Sequence, residues 1–123
     1  MAFRFDYTSQ DLLRMRLIST RSMSSSFKDA VEVFHDKPNR AFRAMSRGEE
    51  LGHLEYRLLS TESRNMIDFY HTFTRPAAQG RGVAGMMVKS GLEWATKNHY
   101  AVIPSCSYVA SYINKNPQWR SAL

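Results

Sequence analysis

The feature that most restricts the fold of this chain is a change of hydrophobic period at a glycine-rich stretch, AAQGRGVAGM, at residues 77–86. Before it, apolar segments separated by turn sequences predict antiparallel strands joined by short turns. After it, apolar residues recur at the spacing of an amphipathic helix. Because a glycine-rich turn from a strand into a helix exposes backbone N–H groups at the positive end of the helix dipole, the stretch is typical of an anion-binding site.

The predicted elements account for the chain from residue 30 onward. Strands are predicted at residues 30–35, 39–46, 51–60, 66–74 and 100–104. The helical stripe after the glycines consists of Ala84, Met87, Val88, Gly91, Leu92 and Ala95. A second helix is predicted at residues 107–114 and ends near Asn116 and Pro117. We therefore expect one α+β domain over residues 29–123, a mixed sheet with the element order ββββαβα.

The charge of the chain is uneven along its length. The 123 residues carry a formal net charge of +6, and residues 75–123 hold six Lys or Arg but a single acid, Glu93. Such a bias suits nucleic acid or an anionic small ligand. No stacked-aromatic or zinc-finger nucleic-acid module accompanies it, so a phosphate-bearing cofactor ranks above nucleic acid. No apolar run approaches the roughly 20 residues of a membrane-spanning helix, and we expect no membrane partner.

Cysteine and histidine usage argues against disulfides and metals. Cys106 is the one cysteine, which excludes an internal disulfide framework and suits an intracellular, cytoplasmic or nuclear compartment. The histidines do not pair at ligand spacing along the chain, and no metal site is expected. They are His35, His53, His71 and His99.

The N-terminal part differs from the rest of the chain. Residues 1–28 are rich in Arg and Ser and precede the first predicted strand. We interpret them as an extension, either flexible or a mitochondrial targeting segment, although Asp6 and Asp11 count against targeting.

The glycine-rich stretch fits two phosphate-binding patterns. Gly80, Gly82 and Gly85 fit G-x-G-x-x-G, the dinucleotide fingerprint. That fingerprint requires a parallel strand–helix–strand unit and an acid about 20 residues further on, and neither is predicted here. Gln79, Gly82 and Ala84 fit Q-x-x-G-x-A, the phosphate-binding motif of coenzyme A-dependent acetyltransferases, and this interpretation remains. Arginines at positions 75 and 81 can add charge-assisted contacts to phosphates.

The residues RPAAQGRGVAGMMVKSGLEWA resemble the GNAT superfamily of acyl-CoA N-acyltransferases. IDFYHTFT, QGRGVA and IPSCSYV resemble its minimal single-domain members, which include small plant acetyltransferases and vertebrate N-acetyltransferase domain-containing proteins. The resemblance covers residues 30–120 and implies a reduced GNAT-like fold that lacks the first two helices of larger members. One departure is Gln79, where many relatives have Arg.

The resemblance also implies where acetyl-CoA binds. The fourth strand is expected to splay from the fifth, with the pantetheine arm between them and the pyrophosphate on the glycine loop. The implied cofactor-binding residues are Phe73, Thr74, Gln79, Gly80, Arg81, Gly82, Val83, Ala84, Gly85, Cys106 and Asn116.

Cys106 is the most prominent candidate for chemistry. It lies at the start of the second helix, a setting that lowers a thiol pKa. It either takes the acetyl group itself, protonates the departing thiolate, or is simply a small buried residue. Tyr108 and Tyr112, on the same helix, are alternative general acids.

His71 is the preferred general base, because a neutral imidazole accepts an ammonium proton near pH 7. A packed core histidine is the alternative, and His53 and Glu55 rank below it as bases acting through water. The sequence thus predicts an acetyl-CoA-dependent N-acetyltransferase whose acceptor is a protein lysine, such as one in a basic tail, or a small amine. Two alternatives are a CoA-binding module without turnover and a basic nucleic-acid-binding protein.

Overall fold

The computed structural model describes residues 30–123, and the predicted extension at residues 1–28 lies outside them. The strands are β1 (Glu32–Asp36), β2 (Ala41–Ser46), β3 (Glu49–Ser60), β4 (Asn65–Thr74) and β5 (Ala101–Ile103). The helices are α1 (Val83–Lys97) and α2 (Ser107–Lys115), and 3₁₀ turns lie at Lys37–Asn39, Pro76–Ala78 and Pro117–Ala122. Every predicted strand and helix is present, with ends shifted by up to two residues.

The five strands form one sheet in the order β1-β2-β3-β4-β5. All neighbouring pairs are antiparallel except β4 and β5, which are parallel. The predicted α+β class and the order ββββαβα are therefore confirmed. Between β1 and β2 the chain forms only a 3₁₀ turn, as the implied loss of the first two GNAT helices requires.

The core lies between the sheet and α1. The apolar stripe of α1 is buried against Leu54 of β3 and Phe69 of β4, both fully buried. At Gly91 a Cβ atom would lie 3.0 Å from the Phe69 ring and 3.1 Å from Leu54. The missing side chain thus lets α1 approach the sheet closely. Within residues 30–123, no helix is long and apolar enough to span a membrane.

A β-bulge in β4 changes which residues face the core. The register shifts between Glu55 and Tyr56 of β3, which pair with His71 and Phe69, so Tyr70 is an extra residue in β4. Phe69 faces the core, whereas His71 lies beyond the bulge on the opposite face together with Glu55. His71 is accordingly exposed rather than a packed core histidine.

Strand β4 loses its parallel partner halfway along its length. The β4–β5 pairing ends at Asp68 and Ile103, but β4 continues to Thr74. Among the described residues, the second half of β4 therefore has a strand neighbour on the β3 side alone. The pairing ends where the splay of the fourth strand from the fifth, implied by the resemblance, would begin.

Candidate functional site

The glycine loop connects the free half of β4 to α1. Gly80 and Gly82 have φ angles of +81° and +78°, a backbone conformation that other residues rarely adopt. The first helical hydrogen bond runs from the Met86 N–H to the Gly82 carbonyl at 3.1 Å. The preceding amides, those of Val83, Ala84 and Gly85, have no partner in an earlier helical turn. The loop thus presents a row of backbone donors at the positive end of a 15-residue helix.

Side chains around the loop fix it and set its charge. The Gln79 side-chain amide donates to the Thr74 carbonyl at 3.2 Å and ties the loop to the end of β4. The Arg75 guanidinium instead donates to the Glu50 carbonyl at 3.2 Å and lies 3.6 Å from the Glu49 carboxylate. Arg75 thus already has anionic and carbonyl partners at the start of β3, and the exposed Arg81 is the arginine within the loop itself.

Cys106 lies beside β4 where the pairing with β5 ends. Its backbone N–H donates to the Phe69 carbonyl at 2.9 Å, one residue past the last β4–β5 pair. Its Sγ lies 3.2 Å from the Thr72 hydroxyl. Burial raises the pKa of the Cys106 thiol, but hydrogen bonds from Thr72 and from backbone amides at the start of α2 outweigh it and lower the pKa overall. The direction agrees with that expected for a thiol at a helix start.

The tyrosines of α2 lie over the start of α1. A Cβ atom on Gly85 would lie 3.6 Å from both the Tyr108 hydroxyl and the Tyr112 ring. Tyr108 is exposed, whereas Tyr112 is half-buried. Burial, with smaller contributions from Tyr108 and Glu93, raises the pKa of Tyr112, so this phenol holds its proton more firmly. Both tyrosines therefore border the loop.

His71 lies on the other face of the sheet from Cys106. Thr72, which contacts Cys106, pairs with the buried Leu54 and shares its face, whereas His71 pairs with Glu55. Phe73 is 42% exposed on the same face as His71. The two candidate catalytic side chains, Cys106 and His71, thus lie on opposite faces of the sheet beside β4.

Two strands bring together a polar group that chain spacing does not reveal. One ligand-type atom each of His53, Glu55 and His71 lies within 4.8 Å of the other two. The Nδ1 atom of His53 is 2.6 Å from a carboxylate oxygen of Glu50. No two histidines lie at ligand spacing along the chain, but the β3–β4 register brings His53 and His71 close together in space.

The Asn116 side-chain amide donates to the Tyr112 carbonyl at 2.9 Å, so it caps the C-terminal end of α2, and its contact with the cofactor stays a prediction.

Asp68 was not singled out from the sequence, yet it is 6% exposed at the last β4–β5 pair. Its Oδ2 accepts from Arg57 at 3.2 Å and its buried Oδ1 has no partner. The sequence offered one signal for this residue, an acidic side chain within an otherwise largely apolar strand.

Comparison with known proteins agrees with this geometry. A family model described as GCN5-related N-acetyl-transferase matches residues 41–122. Protein NATD1 of Gallus gallus is 26% identical over 88 residues, which cover 71% of this chain and 77% of that protein.

Two solved structures are similar to this chain, and the first of them, with a TM-score of 0.52, shares its fold. One is an aminoglycoside acetyltransferase from an uncultured soil metagenomic sample, in complex with sisomicin (TM-score 0.52, 12% identity, 85% of this chain and 79% of that one). Another aminoglycoside acetyltransferase from soil is longer, and this chain spans 55% of it (TM-score 0.49, 21% identity, 63% of this chain). On the match of the family model, the chain belongs to the GCN5-related N-acetyltransferase family, and we class it as an acetyltransferase.

Proposed function

We propose that the chain transfers the acetyl group of acetyl-CoA to an amine. The observation that carries the proposal is the junction of three features at one end of the sheet. These are the glycine loop at the start of α1, the half of β4 without a β5 partner, and Cys106, whose N–H bonds to the Phe69 carbonyl where the β4–β5 pairing ends. A diphosphate and an amide-containing arm are complementary to the first two.

The loop fits a pyrophosphate. Open space surrounds the positions where Gly80 and Gly82 would carry a Cβ atom, so phosphate oxygens can approach the backbone there. The amides at residues 83–85 supply neutral donors, and Arg81 supplies charge. The first turn of α1 has no acidic residue that would repel a phosphate.

The free half of β4 fits the pantetheine arm. Cys106 and Gln79 already bond to the carbonyls of Phe69 and Thr74, but the strand between them lies along the edge that β5 leaves uncovered, where the two amides of the arm can pair as an added strand does. Phe73 and Thr74 lie at the end of this edge. The hydrogen bond from the Gln79 side chain to the Thr74 carbonyl connects that end to the glycine loop. Cys106 then lies beside the reacting end of the arm.

The chemistry needs one proton acceptor and one proton donor. The amine nitrogen forms the new bond to the acetyl carbonyl carbon, the carbon–sulfur bond breaks, and the proton lost from nitrogen is balanced by one gained at sulfur. We assign the first transfer to His71, which is exposed on the acceptor-accessible face. Cys106 or Tyr108 donates the proton to the departing sulfur. Cys106 lies beside Thr72 of β4, and Tyr108 lies beside the start of α1.

The acceptor remains broad within the class of amines. On the face that carries His71, Glu50 and Asp68 are already paired with arginines, so Glu55 beside His71 is the carboxylate that favours a cationic amine, either a protein lysine or a small amine. A single cysteine in the chain suits a reducing environment, and we propose an intracellular compartment, whether cytoplasmic, nuclear or mitochondrial.

The test combines binding with turnover. Calorimetry with acetyl-CoA should show saturable binding, and release of free CoA should be followed with a panel of lysine peptides and small amines. His71→Ala should lower the transfer rate about 100-fold, the lower range for loss of a general base, while acetyl-CoA binding is retained. His99→Ala, an exposed histidine at the end of α1, is the matched control and should change neither.

Mass spectrometry separates the possible roles of Cys106. An acetyl adduct that is absent in Cys106→Ala identifies a covalent carrier, whereas transfer without an adduct identifies direct attack by the amine. Binding with no transfer to any amine would leave a CoA-binding module. No binding at millimolar acetyl-CoA would refute the proposal.

A further inference from the structure

We propose that His53, Glu55 and His71 form a binding site for a divalent transition-metal ion, with Zn²⁺ as the fitting ion. Within residues 30–123 they are the one group of three His, Cys, Asp or Glu side chains placed to share an ion. Their set of two imidazoles and one carboxylate is a donor combination that zinc uses in proteins. The consequence for activity, that bound zinc blocks acetyl transfer, rests on the proposed role of His71.

The geometry comes from the cross-strand register. Glu55 pairs directly with His71, and His53 lies two residues before Glu55 on the same face of β3. The rings of His53 and His71 have centroids 6.0 Å apart, and one ligand atom of each of the three residues lies within 4.8 Å of the others. Ligands about 2 Å from one ion lie roughly 3.3 Å apart in a tetrahedron, so modest side-chain rotations complete the site.

A second layer of hydrogen bonds orients His53 for ligation. The Nδ1 atom of His53 is 2.6 Å from Glu50, and in the tautomer that donates this hydrogen bond the lone pair is on Nε2, where a metal ion can bind. Glu50 is itself held by Arg43 at 3.1 Å, and Arg43 by Asp36 at 2.8 Å. A histidine bonded to a carboxylate is the usual arrangement behind a zinc ligand.

The site is open on the solvent side. His71 is exposed, and His53 and Glu55 are half-buried, so an ion can enter directly from solvent. Three protein ligands leave a fourth tetrahedral position for water or for an incoming ligand. An ion there occupies the lone pair with which His71 accepts a proton, and it places positive charge where a cationic amine would approach. Zinc should therefore inhibit transfer rather than assist it.

The binding test uses metal alone. Zn²⁺ is titrated into the full chain by calorimetry, and Co²⁺ is added to a second sample to record the visible absorption of a tetrahedral N/O site. His53→Ala and His71→Ala should each weaken Zn²⁺ binding at least tenfold. Glu50→Gln replaces the charged acceptor of the His53 N–H by a neutral amide oxygen and should weaken Zn²⁺ binding about 10- to 100-fold, the range for mutation of a hydrogen-bond partner of a ligand.

Two control variants separate this site from other zinc-binding groups. His99→Ala and Cys106→Ala should retain the wild-type affinity, because neither residue belongs to the group. Binding that is unchanged in His53→Ala, or that is lost in Cys106→Ala, would overturn the proposal. So would the absence of a tetrahedral Co²⁺ spectrum.

The activity arm is independent of the binding arm. Each variant's transfer rate is measured with and without Zn²⁺ and is normalised to its own metal-free rate. Glu50→Gln should shift the inhibitory Zn²⁺ concentration upward by the same factor as its dissociation constant. Tight binding of zinc without inhibition would overturn the link to His71 but leave the metal site standing. Failure of metal-free enzyme to transfer acetyl would count against the proposed function alone.

Discussion

The glycine loop offers the sharpest test of the acetyl-CoA site, because the chain contains a matched pair of glycines. Gly82, in the loop, has a φ of +78°, and Gly48, in the turn between β2 and β3, has a φ of +79°. At both positions a Cβ atom would meet no heavy atom within 4 Å. Gly82→Ala and Gly48→Ala therefore impose the same backbone cost without a steric clash.

The expected magnitudes follow from this match. Holding an alanine in the left-handed region costs about 1–2 kcal/mol, so both variants should lose a similar free energy of unfolding. Only Gly82 precedes the amides that would receive the pyrophosphate. A methyl group there obstructs the approach of phosphate, and the loss of one charge-assisted hydrogen bond, about 1.5–3 kcal/mol, weakens binding roughly 10- to 150-fold.

Urea unfolding and calorimetry with acetyl-CoA measure the two effects on the same proteins. The expected result is equal destabilisation of both variants and weaker acetyl-CoA binding in Gly82→Ala alone. Equal affinity of the two variants, at equal stability, would refute the assignment of the loop as the phosphate site. The loop would then only turn the chain from β4 into α1.

Two further predictions concern the thiol and the core. Thr72→Val removes a hydrogen bond that lowers the pKa of Cys106, so the midpoint of the pH profile for thiol alkylation should move to higher pH. In the wild type the lowered pKa stabilises the fold above the unfolded thiol's pKa, and this is lost as pH falls through the folded value. Gly91→Ala places a methyl group 3.0 Å from Phe69 and should lower the free energy of unfolding in urea by about 1–3 kcal/mol. The higher helix propensity of alanine should offset up to about 1 kcal/mol of this loss. Unchanged stability would contradict the close packing of α1 on the sheet.

The β-bulge in β4 shows why site geometry was harder to predict than fold. Simple alternation from Ile67 through Phe69 would place His71 and Phe73 on the core face. The extra residue Tyr70 reverses this, so His71 is exposed and Phe73 is 42% exposed on the opposite face. A bulge depends on the pairing with β3, which no local period of β4 records.

The sequence by itself determined the order of strands and helices, the glycine loop before α1, and the placement of Cys106 at the start of α2. Each rests on neighbours within one helical turn or one strand, where period and turn chemistry act locally. Only the tertiary structure decided that β4 parts from β5 after Asp68, that Arg75 binds the start of β3, and that His53 and Glu55 meet His71. Those contacts depend on strand register and on packing between residues distant in the chain, which the spacing of residue types does not encode.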